Sequence, residues 1–273
     1  RYPELPGSDP GLLLLQMRAV MEKDQKTFWD RRARTFPRYT PDENSHEAQV
    51  LRVAREQGVG VDGLSVLDVG CGSGRYTLRL AKTARTVIAL DISDEMLRIL
   101  EEDAAAQGLD NIVCVCAEWM DFDQTDRYDV VLCAMTPALR TDAGKEKILC
   151  HASGWVVFEG HAGKPMASSV MDGLYAHYQV RRPPFNSGPE MRKWLDRRGI
   201  SYFFHPMTGG RTTVWDKADL LHSCVTMLTH HDIAPETEFL DHYLEAFKNQ
   251  DGGYEETVSY QTELLIWQHF PSR

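Results

Sequence analysis

The sequence predicts an α/β protein: a doubly wound, seven-stranded, mostly parallel sheet with N-terminal helices and a helical lid or insertion. Three observations lead there. Short apolar runs recur from residue 64 and alternate with amphipathic stretches, the pattern of parallel strands covered by helices on both faces. The first run ends in a turn with glycine at alternate positions, and that turn opens a helix. Crossovers of one hand then leave the doubly wound sheet as the simplest topology.

The elements follow in chain order. Residues 8 to 35 read as a helix capped by Ser8 or Asp9, with Leu12, Leu15 and Ala19 at helical spacing. Pro37 and Pro41 bracket a break, and residues 45 to 57 read as a second helix ending at Gly58. Five strand runs follow, at Ser65 to Val69, Thr86 to Leu90, Ile112 to Val115, Tyr128 to Cys133 and Gly154 to Phe158. Helical stretches lie between them near 75 to 84, 94 to 107 and 140 to 151. Residues 162 to 187, with Gly163, Pro165, Pro183 and Pro184, read as a long connection or a lid. A helix over 189 to 198, a strand over Ile200 to Phe204, helices near 217 to 229 and 236 to 248, and a strand over Thr262 to Gln268 complete the chain. The expected organisation is an N-terminal helical cover (1–58), a cofactor-binding core (59–161), a variable acceptor-binding or lid region (162–260) and a final strand (261–273).

At 273 residues the chain is long enough for one full core. Its formal charge of −10 disfavours general binding to phosphate backbones. Apolar runs such as Leu12 to Leu15 are too short to span a bilayer. The six cysteines are scattered without a second Cys or His pair at ligand spacing, so reduced thiols in a cytoplasm are expected, with no metal. The sequence opens at Arg1 rather than Met, which leaves the natural start open.

The sharpest local signal is Val66-Leu67-Asp68-Val69-Gly70-Cys71-Gly72-Ser73-Gly74-Arg75. No Lys follows Gly74, which disfavours a nucleoside-triphosphate loop. Arg75 stands where a dinucleotide fingerprint needs its third small residue, which counts against a nicotinamide cofactor. The spacing of Asp68, Gly70, Gly72 and Gly74 instead resembles motif I of class I, Rossmann-like S-adenosylmethionine-dependent methyltransferases. Asp91 ends the second strand, where a carboxylate can accept from a ribose diol. The resemblance covers roughly residues 64 to 160. It implies S-adenosylmethionine as cofactor, S-adenosylhomocysteine as product, and a cofactor site of Asp68, Gly70, Cys71, Gly72, Gly74, Asp91 and Ile92. Met96 is a candidate for an adenine face, with a core methionine as the alternative. The resemblance further implies Glu118 as acceptor from the adenine amine, Trp119 as a backbone or ring contact, and Ala134 where donor and acceptor meet. Phe28-Trp29-Asp30-Arg31-Arg32-Ala33 resembles an N-terminal element of small-molecule methyltransferases, and Tyr39 is the candidate aromatic lid over the cofactor.

Signatures of particular acceptors are absent. Ala134-Met135-Thr136-Pro137 replaces the Asp/Asn-Pro-Pro-aromatic motif of enzymes that methylate base amines, and no Pro-Cys pair marks a cytosine-C5 enzyme. Thr136, Arg140, Glu159 and His161 are acceptor-site candidates because they follow strands four and five into the crevice at the strand ends. His161 is the candidate base, against the alternative of an exposed or backbone-bonded histidine. The mix of Tyr175, Tyr178, Arg181, Arg182 and Phe185 suits an anionic or aromatic acceptor, or a solvated lid face. The expected activity is methyl transfer to a small-molecule acceptor. The competing readings are a non-catalytic cofactor-binding module and a tRNA or protein methyltransferase that needs a partner.

Overall fold

A computed structural model describes residues 25–182 and 187–270. The opening half of the helix expected over 8 to 35 lies outside them; within them a helix, α1, covers 25–33. Helix α2 (His46–Glu56) starts at the N-cap Ser45, whose side chain accepts from Ala48 N. The alternating part follows: β1 (Ser65–Val69), α3 (Thr77–Leu80), β2 (Thr86–Asp91), α4 (Asp94–Ala106), β3 (Ile112–Cys116), β4 (Tyr128–Ala134), α5 (Asp142–His151) and β5 (Ala152–His161). The rest comprises β6 (Ala167–Ser168), α6 (Met171–His177), α7 (Ser187–Arg197), β7 (Phe203–Trp215), α8 (Lys217–Thr229), α9 (Thr237–Leu244) and β8 (Tyr254–Gln268).

Strands β3, β2, β1, β4 and β5 lie side by side and parallel. β8 runs antiparallel beside β5, and β7 covers its other edge over Phe203 to Trp215. The sheet has eight strands rather than the expected seven. At 15 residues β8 outruns β5, and Ala167–Ser168, in the stretch read as a connection, pairs with the edge this overhang leaves at Val258–Ser259. The strand expected over 200 to 204 is likewise the start of a 13-residue strand. Helix α3 is a single turn where a longer helix was expected.

Successive residues of β1 serve opposite faces. Leu67 and Val69 join Val131, Phe158, Trp194 and Trp267 under α5 and α7, and Val66 joins Leu132, Val157, Val50 and Leu80 under α2 and α3. A separate core, built on Leu174, Leu220, Cys224, Leu228 and Leu240, holds α6, α8 and α9 against Tyr254 at the overhanging end of β8. Strand order reverses between β1 and β4, so the crevice at their carboxyl ends is where an open α/β sheet takes a ligand. No described helix is long and apolar enough to cross a membrane.

Candidate active site

The turn after β1 is held in the left-handed region at Gly70 (φ 72°), Gly72 (φ 55°) and Gly74 (φ 81°). A Cβ at Gly70 would lie 2.6 Å from the Cβ of Thr136 and closer still to its Oγ1. Gly70→Ala therefore combines backbone strain with a clash. It is expected to destabilise the fold by about 2–4 kcal/mol. Thr136→Gly in the same chain should restore part of that loss in urea melts, because it removes the clash and not the strain.

Two carboxylates lie beneath the turn. Asp91 accepts from Gly72 N at 2.8 Å and from Ser93 N at 2.9 Å. Burial raises its pKa against those bonds. Asp68 is buried, accepts from Thr77 Oγ1 at 2.6 Å, and is pushed up to about 7 by desolvation, with the Asp91 charge adding to the shift. Asp68 thus ties β1 to the first turn of α3. Cys71 packs at the edge of the α3–α4 cluster, where burial pushes its thiol up and keeps it a thiol. Ile92 is half-buried beside Asp91.

Three of the expected contact residues have partners within the fold. Tyr39 packs against the α3–α4 cluster, its hydroxyl 2.9 Å from Lys82 Nζ and its ring beneath Arg79. The aromatic ring at the turn is that of Phe36, close enough to meet a Cβ at Gly72 at 3.5 Å. Met96 is enclosed by Ala33, Ile99, Trp29 and Phe36, so it acts as a core residue joining α1 to α4. The Trp119 ring is buried against Phe122 and His151 and donates to Gly144 O at 2.9 Å, which leaves its backbone alone for a ligand. Glu118 caps the short turn that follows it by accepting from Met120 N.

The strand ends beside this turn carry a buried polar cluster. Ala134 ends β4 in register with Glu159 of β5, and Met135 takes a left-handed φ of 55° while donating to Glu159 O at 2.8 Å. Non-glycine residues seldom adopt that conformation, and such strain gathers at functional sites. The Glu159 side chain is fully buried and accepts from three elements: Tyr76 Oη at 2.7 Å, Thr262 Oγ1 at 2.7 Å, and His46 Nε2 at the start of α2. Desolvation would raise Glu159, but the His46 hydrogen bond and charge outweigh it and hold the carboxyl below its usual range. Burial likewise pulls His46 down, and Glu159 more than reverses this, so the imidazole pKa is raised. His46 Nδ1 is buried without a hydrogen-bond partner among the described residues. His161 lies two residues beyond Glu159, is mostly buried, and has its pKa lowered by desolvation. Its backbone N donates to Ser187 Oγ.

Residues 66–157, which hold the glycine turn, both acids and the end of β4, match a family described as a methyltransferase domain. The chain carries a class I, Rossmann-like methyltransferase domain. Ubiquinone biosynthesis O-methyltransferases are among its relatives. That of Leptothrix cholodnii is 37% identical over 92 residues, 32% of this chain and 39% of the relative. That of Shewanella pealeana is 31% identical over 116 residues, 42% and 47% of the two chains. The chain thus matches less than half the length of these curated relatives. The methyltransferase fold recurs in the magnesium protoporphyrin IX methyltransferase of Synechocystis PCC 6803, solved with bound SAH. That structure has a TM-score of 0.53 at 15% identity over 89% of this chain and 98% of that one. YcgJ from Bacillus subtilis gives 0.53 at 14% identity over 82% and 99%.

Sequence reasoning found Glu159 but not the groups around it. Tyr76 and Thr262 look like ordinary polar residues in a helix start and a strand. His46 follows an N-cap serine, where a histidine carries no signal of its own. Arg140 is exposed, and Tyr175 is absorbed into the α6–α8 core with Arg182 over its ring at 4.8 Å. Phe185 lies outside the described residues.

Proposed function

We propose that this chain transfers a methyl group from S-adenosylmethionine to a small-molecule acceptor, releasing S-adenosylhomocysteine. The observation that carries the reading is the left-handed glycine turn with Asp91 bonded across it, at the point where strand order reverses. The residues fit the cofactor. Gly70, Gly72 and Gly74 keep side chains out of the turn. Each Asp91 oxygen takes one backbone N–H, leaving a further lone pair for a ribose hydroxyl. Glu118 and the Trp119 backbone are assigned to the adenine, Cys71 and Ile92 to the turn around it, and Ala134 to the methyl end. The cofactor supplies a sulfonium-activated methyl group, so the protein's task is largely to position the acceptor.

His46 is the group this reading places at the acceptor. Glu159 accepts from Nε2–H, which leaves Nδ1 of the neutral ring as a lone pair able to take a proton from a hydroxyl, thiol or amine. Tyr76 and Thr262 satisfy the remaining capacity of Glu159 and hold the dyad in place. His161, two residues beyond Glu159 on β5, is the second candidate base.

A small acceptor is supported by the net charge of −10 and by the named activity of the ubiquinone biosynthesis relatives. Six free cysteines suit a cytoplasmic setting. The test is incubation with methyl-labelled S-adenosylmethionine and a panel of small phenols, hydroxy acids and thiols. Label on a panel compound supports the reading. Cofactor binding with no labelled product from any small molecule, tRNA or protein favours a non-catalytic binding module, and label on RNA or protein alone favours the macromolecular alternative.

A further inference from the structure

The overhanging halves of β7 and β8 carry polar side chains on their sheltered face. Arg211 on β7 is half-buried, while Glu256 and Thr262 on β8 are buried, and Tyr260 lies between them at alternate positions. The Arg211 guanidinium makes no hydrogen bond or ion pair among the described residues, although desolvation lowers its pKa. Burial lowers the pKa of Arg32 of α1, and the Arg211 charge lowers it further against the opposing charge of Glu256. The Arg32 guanidinium donates to Thr35 Oγ1 at 3.0 Å and Ser223 Oγ at 2.8 Å, both uncharged.

Neither nearby acid makes an ion pair with Arg211, although the charges of both act on it. Glu256 accepts from Ser168 Oγ at 2.7 Å and from Trp215 Nε1 at 3.2 Å. Glu47 pairs with Arg75. Two sheltered cations therefore share one carboxylate, Glu256, which leaves an excess positive charge at this site in a chain with 40 acidic residues against 30 basic ones. Unpaired sheltered charge is costly, so an arrangement of this kind calls for a negative charge from outside the chain.

The site is also joined to the proposed acceptor position. The Tyr260 ring meets the His46 ring edge-on at 5.2 Å between centroids. It also lies across Gly209, two residues before Arg211, where a Cβ would come within 2.7 Å of the Tyr260 hydroxyl. His46, Tyr260 and Arg211 thus follow one another along one wall.

We infer that Arg211, seconded by Arg32, binds an oxyanion group of the methyl acceptor, so that the acceptor is a small carboxylate or phosphate ester rather than a neutral molecule. The guanidinium fork matches both groups in two-point geometry. The assignment to the methyl acceptor rests on the methyltransferase reading; the anion site itself does not.

The experiment is calorimetric titration of the full chain, with and without S-adenosylhomocysteine, using 4-hydroxybenzoate, phenyl phosphate and neutral 4-hydroxybenzyl alcohol. At least one anion is expected to bind tenfold or more tightly than the alcohol, and the better anion distinguishes carboxylate from phosphate. Arg211→Gln should remove that preference, Arg211→Lys should keep part of it, and both should leave S-adenosylhomocysteine binding unchanged. Thermal melts without anion should show Arg211→Gln no less stable than the parent, whereas a structural arginine would lower the melting temperature. The proposal is overturned if neither anion binds better than the alcohol, or if Arg211→Gln binds the anions as the parent does. Failure of S-adenosylhomocysteine to bind, with the Arg211-dependent anion preference intact, would sink the methyltransferase reading and leave the anion site standing.

Discussion

Replacing His46 by alanine is expected to lower turnover by about 10²- to 10⁴-fold, the usual worth of a positioned base, while affinity for S-adenosylhomocysteine stays within twofold. The expectation follows from the division of labour on the ring: Nε2 is committed to Glu159 and Nδ1 has no partner among the described residues. The pH profile carries the same signature. Desolvation alone would lower the His46 pKa, but the Glu159 hydrogen bond and charge raise it on balance. A base must be unprotonated to act. The acid limb of the rate profile should therefore lie above the ordinary histidine value of about 6.5. Glu47 adds to the raise, Arg75 opposes it, and Tyr76, Tyr260 and His161 are the other titratable groups around the dyad. Glu159→Gln removes the negative charge and should move the limb downward while slowing the reaction. These rates are read with the acceptor that the labelled-donor panel returns. A His46→Ala protein with undiminished turnover would remove histidine from the mechanism.

Glu159→Ala is expected to cost about 3–5 kcal/mol of stability, because it leaves three buried donors without their acceptor at about 1–3 kcal/mol each. The carboxylate is fully buried and joins α2, α3 and β8 to the end of β5. Its loss leaves the Tyr76 and Thr262 hydroxyls and both His46 nitrogens unsatisfied in one place. Glu159→Gln keeps the volume and an accepting oxygen, so it should cost less. Urea unfolding of the three proteins decides the matter, and a loss under about 1 kcal/mol for Glu159→Ala would show that the cluster does not anchor these elements.

The parts legible in the sequence were those set by local chemistry. Buried parallel strands must be continuously apolar, which exposed β1, β2, β4 and β5 as runs. The glycine turn announces itself because only glycine tolerates its backbone cheaply. What was not legible depends on distance along the chain. Glu159 meets partners 113, 83 and 103 residues away, and no periodicity links such positions. The choice between Phe36 and Tyr39 at the turn rests on where α1 ends and how the chain passes Pro37, whose carbonyl accepts from Ser73 Oγ at 2.7 Å. Trp119 follows a strand end as a ligand-contacting aromatic would, yet α5 folds over it and takes its indole N–H. The two-residue β6 is too short to leave a pattern; the length of β8 creates it.

The central claim is most directly tested by calorimetric titration with S-adenosylmethionine, S-adenosylhomocysteine and NAD, run in parallel on Asp91→Ala. The account predicts that both methionine-derived ligands bind, that NAD does not, and that Asp91→Ala weakens binding at least about tenfold through loss of a charge-assisted hydrogen bond. Binding of NAD in their place, or an Asp91→Ala protein that binds them as tightly as the parent, would contradict it.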